Sequence, residues 1–381
     1  MAIRIVTTSS LLAIGLVGAG CGTDGFWTVD GKDEPACEQA GDCPDNTNGT
    51  GGGNGGGGGG TGGGDTGGGG TGGGGTGGTG GGTGGTGGGG AGGGGGSSAT
   101  YQPLYWVEKG ERTAEVSRKP WSSWWYPLWE DTLFQGKNEE LSTLEKYDAW
   151  AAKFANTRTA AAAYERKELY QPRAASWSGL CDAWALASIL EPEPTRSVKH
   201  GEITFTVADQ KALLLKTYEK VPPLKLVGSR FDGEWDDVYE DVLPHELHGI
   251  IETELIGRKR AFIIDNDAGP EVWNEPAWKV ITRIERDADD EEVAHVRTWL
   301  FLASPHVEDK DFVGMIEDTR EYTYDLQGKW QGERFGVSSS AWTDRSQWDH
   351  PDYAIVVPDR IPRGSHNPHI RAQFVDRIRE P

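Results

Sequence analysis

From about residue 141 the apolar positions recur at three- and four-residue spacing, and beyond residue 260 they alternate, so the chain reads as helices first and strands second. Helices are predicted over Leu141–Phe154, Ala160–Leu169 and Asp209–Val221, and a further one follows Ser178 and carries Cys181 in its first turn. In the last of these Ser178 is the expected N-cap, Ala, Leu and Ile carry the helix, and Pro192 and Pro194 stop it. Another helix enters after Pro244, sets Leu247, Ile251 and Leu255 on one face, and takes Gly257 as its C-terminal cap. Ala261–Ile264 reads as a buried strand ending at Asp265, and strands are predicted over Trp278–Ile284, Val293–Leu302, Tyr322–Leu326 and Ala354–Val357. This order specifies an α+β fold: a helical layer against an antiparallel sheet, with a site at their junction.

None of this patterning reaches the first hundred residues. Of 58 glycines in 381 residues, 37 fall between Gly49 and Gly96, and such a segment buries no core. It is expected to be a disordered linker over 49–100 with an r.m.s. reach on the order of 40 Å. Ahead of it, Arg4, the apolar stretch Ile5–Val17 and the small residues Gly18-Ala19-Gly20 before Cys21 read as a lipoprotein export signal over 1–20. Cys21 then becomes the lipidated first residue, acylated with chains such as palmitate, and the protein is expected to be held at a bacterial cell envelope, at the outer membrane, or secreted. In the segment 21–48, Cys37 and Cys43 are expected to close a small disulfide loop in that oxidising compartment. The globular part is residues 101–381, with membrane contact through the anchor alone.

Charge and aromatic content narrow the chemistry. The net charge is −21, and the part from Ser97 onward carries 35 basic against 50 acidic residues, which argues against a nucleic-acid partner. Fifteen of the 16 tryptophans lie in that part, consistent with packing or an aromatic-lined cleft. The acidic runs Asp232–Asp237 and Asp287–Glu292 lack the spacing of a calcium loop, and no His/Cys cluster has zinc spacing. No metal or other cofactor is therefore expected to be required. Calcium is left as an option that no motif supports.

Cys181 is the one cysteine in the globular part, and it falls in a first helical turn, where unpaired N–H groups and the helix dipole favour a thiolate at a cleft. Asp182 beside it opposes ionisation unless it points to solvent. A thiol nucleophile needs a base and a group that orients the base. His248, on the helix after Pro244, is the first choice, because the returning strand is expected to bring Asp265 back beside it. His350 in Asp349-His350-Pro351-Asp352 is the alternative base, and the other histidines read as surface residues.

The residues Asp265-Asn266-Asp267-Ala268-Gly269-Pro270-Glu271-Val272-Trp273-Asn274-Glu275-Pro276-Ala277-Trp278-Lys279-Val280 resemble the plant-defence elicitor segment of the transglutaminase elicitor family, whose core is Val-Trp-Asn-Gln-Pro. Trp177-Ser178-Gly179-Leu180-Cys181 with Trp184-Ala185, Leu190-Glu191-Pro192-Glu193-Pro194, the helix from Asp209 to Leu214, and His350-Pro351-Asp352 are similar to it in the same order. The resemblance implies a papain-like, transglutaminase-like core and protein-glutamine γ-glutamyltransferase activity. Cys181 is then the nucleophile, and proteins with accessible glutamine and lysine are the partners of a monomeric enzyme. On this reading the Cys181 N–H and an indole from Trp177 or Trp184 stabilise the oxyanion, while Trp273 and Asn274 line the cleft. Three departures stand out: Asp182-Ala183 where the family commonly has His-Gly, Glu275 in place of Gln, and the aromatic lead-in Pro120-Trp121-Ser122-Ser123-Trp124-Trp125-Tyr126-Pro127, which is only loosely similar. A triad of this kind serves proteases and amidases equally, and Asp182 leaves a catalytically weakened surface-binding module as a further alternative.

Overall fold

Two capping boxes start the helical layer. Ser142 and Glu145 cap α1 (Thr143–Phe154), and Thr206 and Asp209 cap α4 (Val207–Lys216), each pair satisfying two otherwise orphaned N–H groups. In the computed structural model, residues 101–230, 241–266 and 269–380 are described. Cys21, Cys37, Cys43, the glycine-rich segment and the acidic run 232–237 lie outside them. Asp209 also receives Thr143 Oγ1 and Lys146 Nζ, both at 2.6 Å, and so fastens α1 to α4. Between them come α2 (Ala161–Tyr164), which widens into a π turn over Glu165–Leu169, and α3 (Cys181–Leu190). A fifth helix, α5 (Pro244–Ile250), runs on as a π helix to Arg258, and α6 (Ala372–Arg379) ends the chain. α5 stops at Lys259 in the left-handed conformation, two residues past the expected Gly257 cap. Among the described residues no helix is long and apolar enough to cross a membrane.

Among the described residues nine strands form one antiparallel sheet in the order β1-β10-β9-β8-β7-β6-β11-β5, with β2 also on β7. Their ranges are β1 Tyr105–Glu108, β2 Gly110–Glu115, β5 Leu226–Gly228, β6 Phe262–Asp265, β7 Asn274–Arg286, β8 Val293–Ala303, β9 Glu317–Gln331, β10 Arg334–Trp342 and β11 Tyr353–Ile355. A separate hairpin pairs β3 (Val198–His200) with β4 (Ile203–Phe205). β1 pairs with β10, whereas β2, one residue later, pairs with the far half of β7. Gly110, at φ 107°, permits the bend between them, and the bend carries the chain from β10 at one edge across to β7, curling that part of the sheet.

Alternation along the central strands separates two cores. Ile263 of β6 and Tyr353 and Ile355 of β11 pack with α3 and α4, whereas Phe262, Ile264 and Ala354 pack with α5 and the curled part of the sheet. α3 and α5 therefore lie on opposite faces. The expectation that a helix and a returning strand would bring His248 and Asp265 together fails here: Asp265 shares the parity of Ile263 and turns toward α3.

Candidate functional site

The segment before α3 is set by tight packing. Leu180 donates its N–H to the Trp125 carbonyl at 2.6 Å, and a Cβ on Gly179 would sit 2.4 Å from Trp125 Cδ1. Only glycine allows that approach. The N-cap is Leu180 with no side-chain acceptor, not the expected Ser178, so Cys181 occupies the first helical position and its N–H has no intrahelical acceptor. Its Sγ lies 3.9 Å from the Val272 carbonyl and 4.0 Å from Asn274 Nδ2. Asn274 opens β7 directly opposite Asp265 on β6, so both point at α3. The Trp273 N–H donates to Asp265 Oδ1 at 2.8 Å, and the Tyr353 hydroxyl donates to Asn274 Oδ1 at 2.9 Å. Cys181, Asp265, Asn274 and Tyr353 thus meet where α3, β6, β7 and β11 converge. Glu275, the second departure from the family pattern, is buried and accepts from Asn266 Nδ2 at 2.7 Å.

The thiol is fully buried, which corrects the expectation of an ionisable sulfur open to a cleft. Burial pushes its pKa well up, and Asp182 and Asp265 push the same way, against the N–H groups of Asn274. Desolvation and two carboxylates outweigh the helix terminus, so the sulfur is a protonated thiol in this arrangement. Asp182 does not reach solvent: it is 3% exposed and its Oδ1 accepts the Ala183 N–H at 2.7 Å.

Neither expected base is brought to the sulfur. His248 lies on the other face of the sheet, with Nδ1 2.5 Å from the Tyr324 hydroxyl and Nε2 3.1 Å from Glu252 Oε1. Glu252 is in turn clasped by Arg112, and the Tyr324 hydroxyl meets Thr298 at 2.9 Å, so this histidine belongs to a polar network inside the curled sheet. His350 is buried, holds the Ser346 carbonyl and Asp241 Oδ2, and stacks on Trp342. Trp184 is not an oxyanion donor here, because its indole N–H is committed to the Trp121 carbonyl at 2.8 Å. Trp177 is half-buried against the helical core, and Trp273 is 4% exposed.

Two residues at the site escaped the sequence reading. The buried Trp125 indole N–H has no acceptor among the described residues, and its ring packs edge-on to Trp273 with centroids 5.7 Å apart. His306 lies edge-on to both indoles, 4.5 Å from Trp273 and 5.5 Å from Trp125. Its signal in the sequence was weak, a histidine in a short Ser-Pro-His loop. Among the described residues, no cluster of three or more His, Cys, Asp and Glu side chains is arranged to hold a metal ion.

A helical layer on a curled antiparallel sheet, with a cysteine at a helix start against two strands, is a transglutaminase-like fold. The model of the transglutaminase elicitor family matches residues 153–299, the span that holds Cys181, Asp265 and Asn274. The GP42 transglutaminase from Phytophthora sojae is similar in structure, with a TM-score of 0.55 at 19% identity, over 70% of this chain and 90% of that one. At that identity the likeness is one of fold. No curated protein matches the sequence.

Proposed function

We propose that this protein is a protein-glutamine γ-glutamyltransferase with Cys181 as nucleophile. One observation carries the reading: the sulfur sits at the start of α3 facing Asp265 and Asn274, inside the family-matched span. In the first half-reaction Sγ adds to the γ-carboxamide carbon of a protein glutamine, the thiol proton passes to a base and on to the leaving nitrogen, and ammonia departs. The thioester is then attacked by a lysine ε-amine. The new C–N bond forms, the C–S bond breaks, and the proton lost by the amine returns to sulfur. Asp265 orients and charges the base side of the site, while the Cys181 N–H and the Trp125 indole, which has no acceptor among the described residues, supply oxyanion donors. Glutamine reaches the sulfur once the aromatic cover over Cys181 parts, and the same cover keeps water from the thioester.

The test is incorporation of a labelled primary amine into a glutamine-rich protein by the full chain. Incorporation is expected, and Cys181→Ala is expected to abolish it. Release of new amino termini in place of incorporation would assign the site to a protease or amidase instead. Asp182, buried beside the thiol and raising its pKa, favours one other reading, a weakly active or purely binding module. No covalent change in any substrate, with the fold intact, would establish that reading. In the cell the domain works on envelope or neighbouring proteins from a lipid anchor at Cys21.

A further inference from the structure

We propose that His306 is the general acid–base of this site, reaching Cys181 when the indoles of Trp125 and Trp273 part. The inference rests on the acyl-transfer reading above. Its ground is the position of the imidazole, which touches two rings, each fixed to the backbone around the sulfur from a different side. Trp125 is joined to the segment before Cys181 by the Leu180 N–H and by its packing on Gly179. Trp273 lies between Val272, whose carbonyl faces Sγ, and Asn274, whose amide faces it. His306 therefore touches both indoles whose chain neighbours border the thiol.

The loop that carries it is anchored to the same wall. Ser122 N–H donates to the Gly314 carbonyl at 2.9 Å, and Ile316 N–H donates to Ser122 Oγ at 2.8 Å, so the far end of the β8–β9 loop is tied to the backbone at Ser122. Pro305 and Val307 are buried on either side and fix the loop, while His306 keeps part of its surface exposed and packs its ring on the two indoles. Neither ring nitrogen has a hydrogen-bond partner among the described residues. Every other histidine with a role is bound elsewhere: His248 and His350 as above, His200 to the Ile378 carbonyl, His245 to Ser340, and His295 between Asp287 and Asp325. Burial lowers the His306 pKa against the opposing pull of Asp318, and a neutral imidazole is the form that accepts a proton.

In the open state His306 takes the Sγ proton as the S–C bond forms and delivers it to the departing ammonia as the C–N bond breaks. It then takes a proton from the attacking amine and returns it to sulfur as the thioester breaks. Two measurements on the full chain test this. In amine incorporation, His306→Ala is expected to lose about a hundredfold or more, with partial rescue by added imidazole, which a merely structural role would not give. In the Trp273→Ala background, where the cover no longer limits access, alkylation of Cys181 by iodoacetamide, followed on the Cys181 peptide by mass spectrometry, is expected to slow when His306 is also replaced. Incorporation that requires Cys181 and is unchanged in His306→Ala would overturn the proposal and leave the acyl-transfer reading standing. Alkylation that depends on His306 in a chain giving no incorporation would keep the base and overturn the transferase. Loss in both assays without imidazole rescue, together with a lowered melting temperature, would assign His306 a packing role and overturn the proposal.

Discussion

Asp182 shows how one side chain sets the resting state of the site. Its carboxylate caps Ala183 N–H and, after burial itself, is the largest influence raising the Cys181 pKa. Asp182→Asn keeps an oxygen for the cap and removes the charge, so the thiol pKa is expected to fall. Alkylation of Cys181 at neutral pH is then expected to speed up several-fold, read by peptide mass spectrometry. The sequence made this conflict between carboxylate and thiol visible, because the two are adjacent. It did not reveal whether Asp182 faces water, since that depends on segments more than fifty residues away, such as Trp125.

At the scale of elements, period-two alternation decided more than any motif. β6 was legible as a buried strand ending at Asp265, yet with apolar residues on both faces it gave no indication of which helix each face would meet. The strand's parity sends Asp265 to α3 and keeps α5, with His248, behind the sheet. β1, β2 and β10 were missed. Their exposed faces are broken by Gly, Ser and charged residues, and only pairing completes them, β2 with β7, β10 with β9 and β1 with β10. The outer surface of this sheet offers a check on electrostatics. His295 on β8 lies between Asp325 Oδ1 at 2.7 Å and Asp287 Oδ2 at 2.6 Å, and hydrogen bonding to Asp325 leads in raising its pKa. The folded pKa lies above the unfolded one, so the stabilisation is full below about pH 6.5 and is lost as pH rises through the raised value. The melting-temperature gap between wild type and His295→Gln is expected to be about 2 °C or less at pH 5.5, since the pair is exposed, and to close by pH 9.

Across the whole molecule, the helical layer is closed by a buried cluster that joins segments far apart in sequence. Lys216 of α4 bonds Glu165 at 2.6 Å and also Glu219, while Ser365 and Asn367 of the C-terminal segment bond Glu219 at 2.7 Å and Glu165 at 3.0 Å. One ammonium thus serves two carboxylates. Burial leads in pushing the Glu219 pKa up to about 7, and Glu165 adds to it against Lys216. Because the folded value is raised above 4.5, this group stabilises most at low pH and loses its contribution as pH rises through about 7. Lys216→Met strands both carboxylates and is expected to cost about 3–5 kcal/mol at pH 7.5 by denaturant titration. The cost is expected to shrink at pH 5, where Glu219 takes a proton.

Periodicity and proline stops determined the α+β class, the presence of most helices, and the candidate nucleophile, because these depend on neighbours within one or two turns of chain. The elicitor-like segment marked which strand faces Cys181. Only the tertiary structure decided the burial of that sulfur, its company of Asp265, Asn274 and Tyr353, and the separation of His248 from it, because sheet curl and strand parity are settled by pairings between residues as much as 232 positions apart, as Tyr105 with Val337.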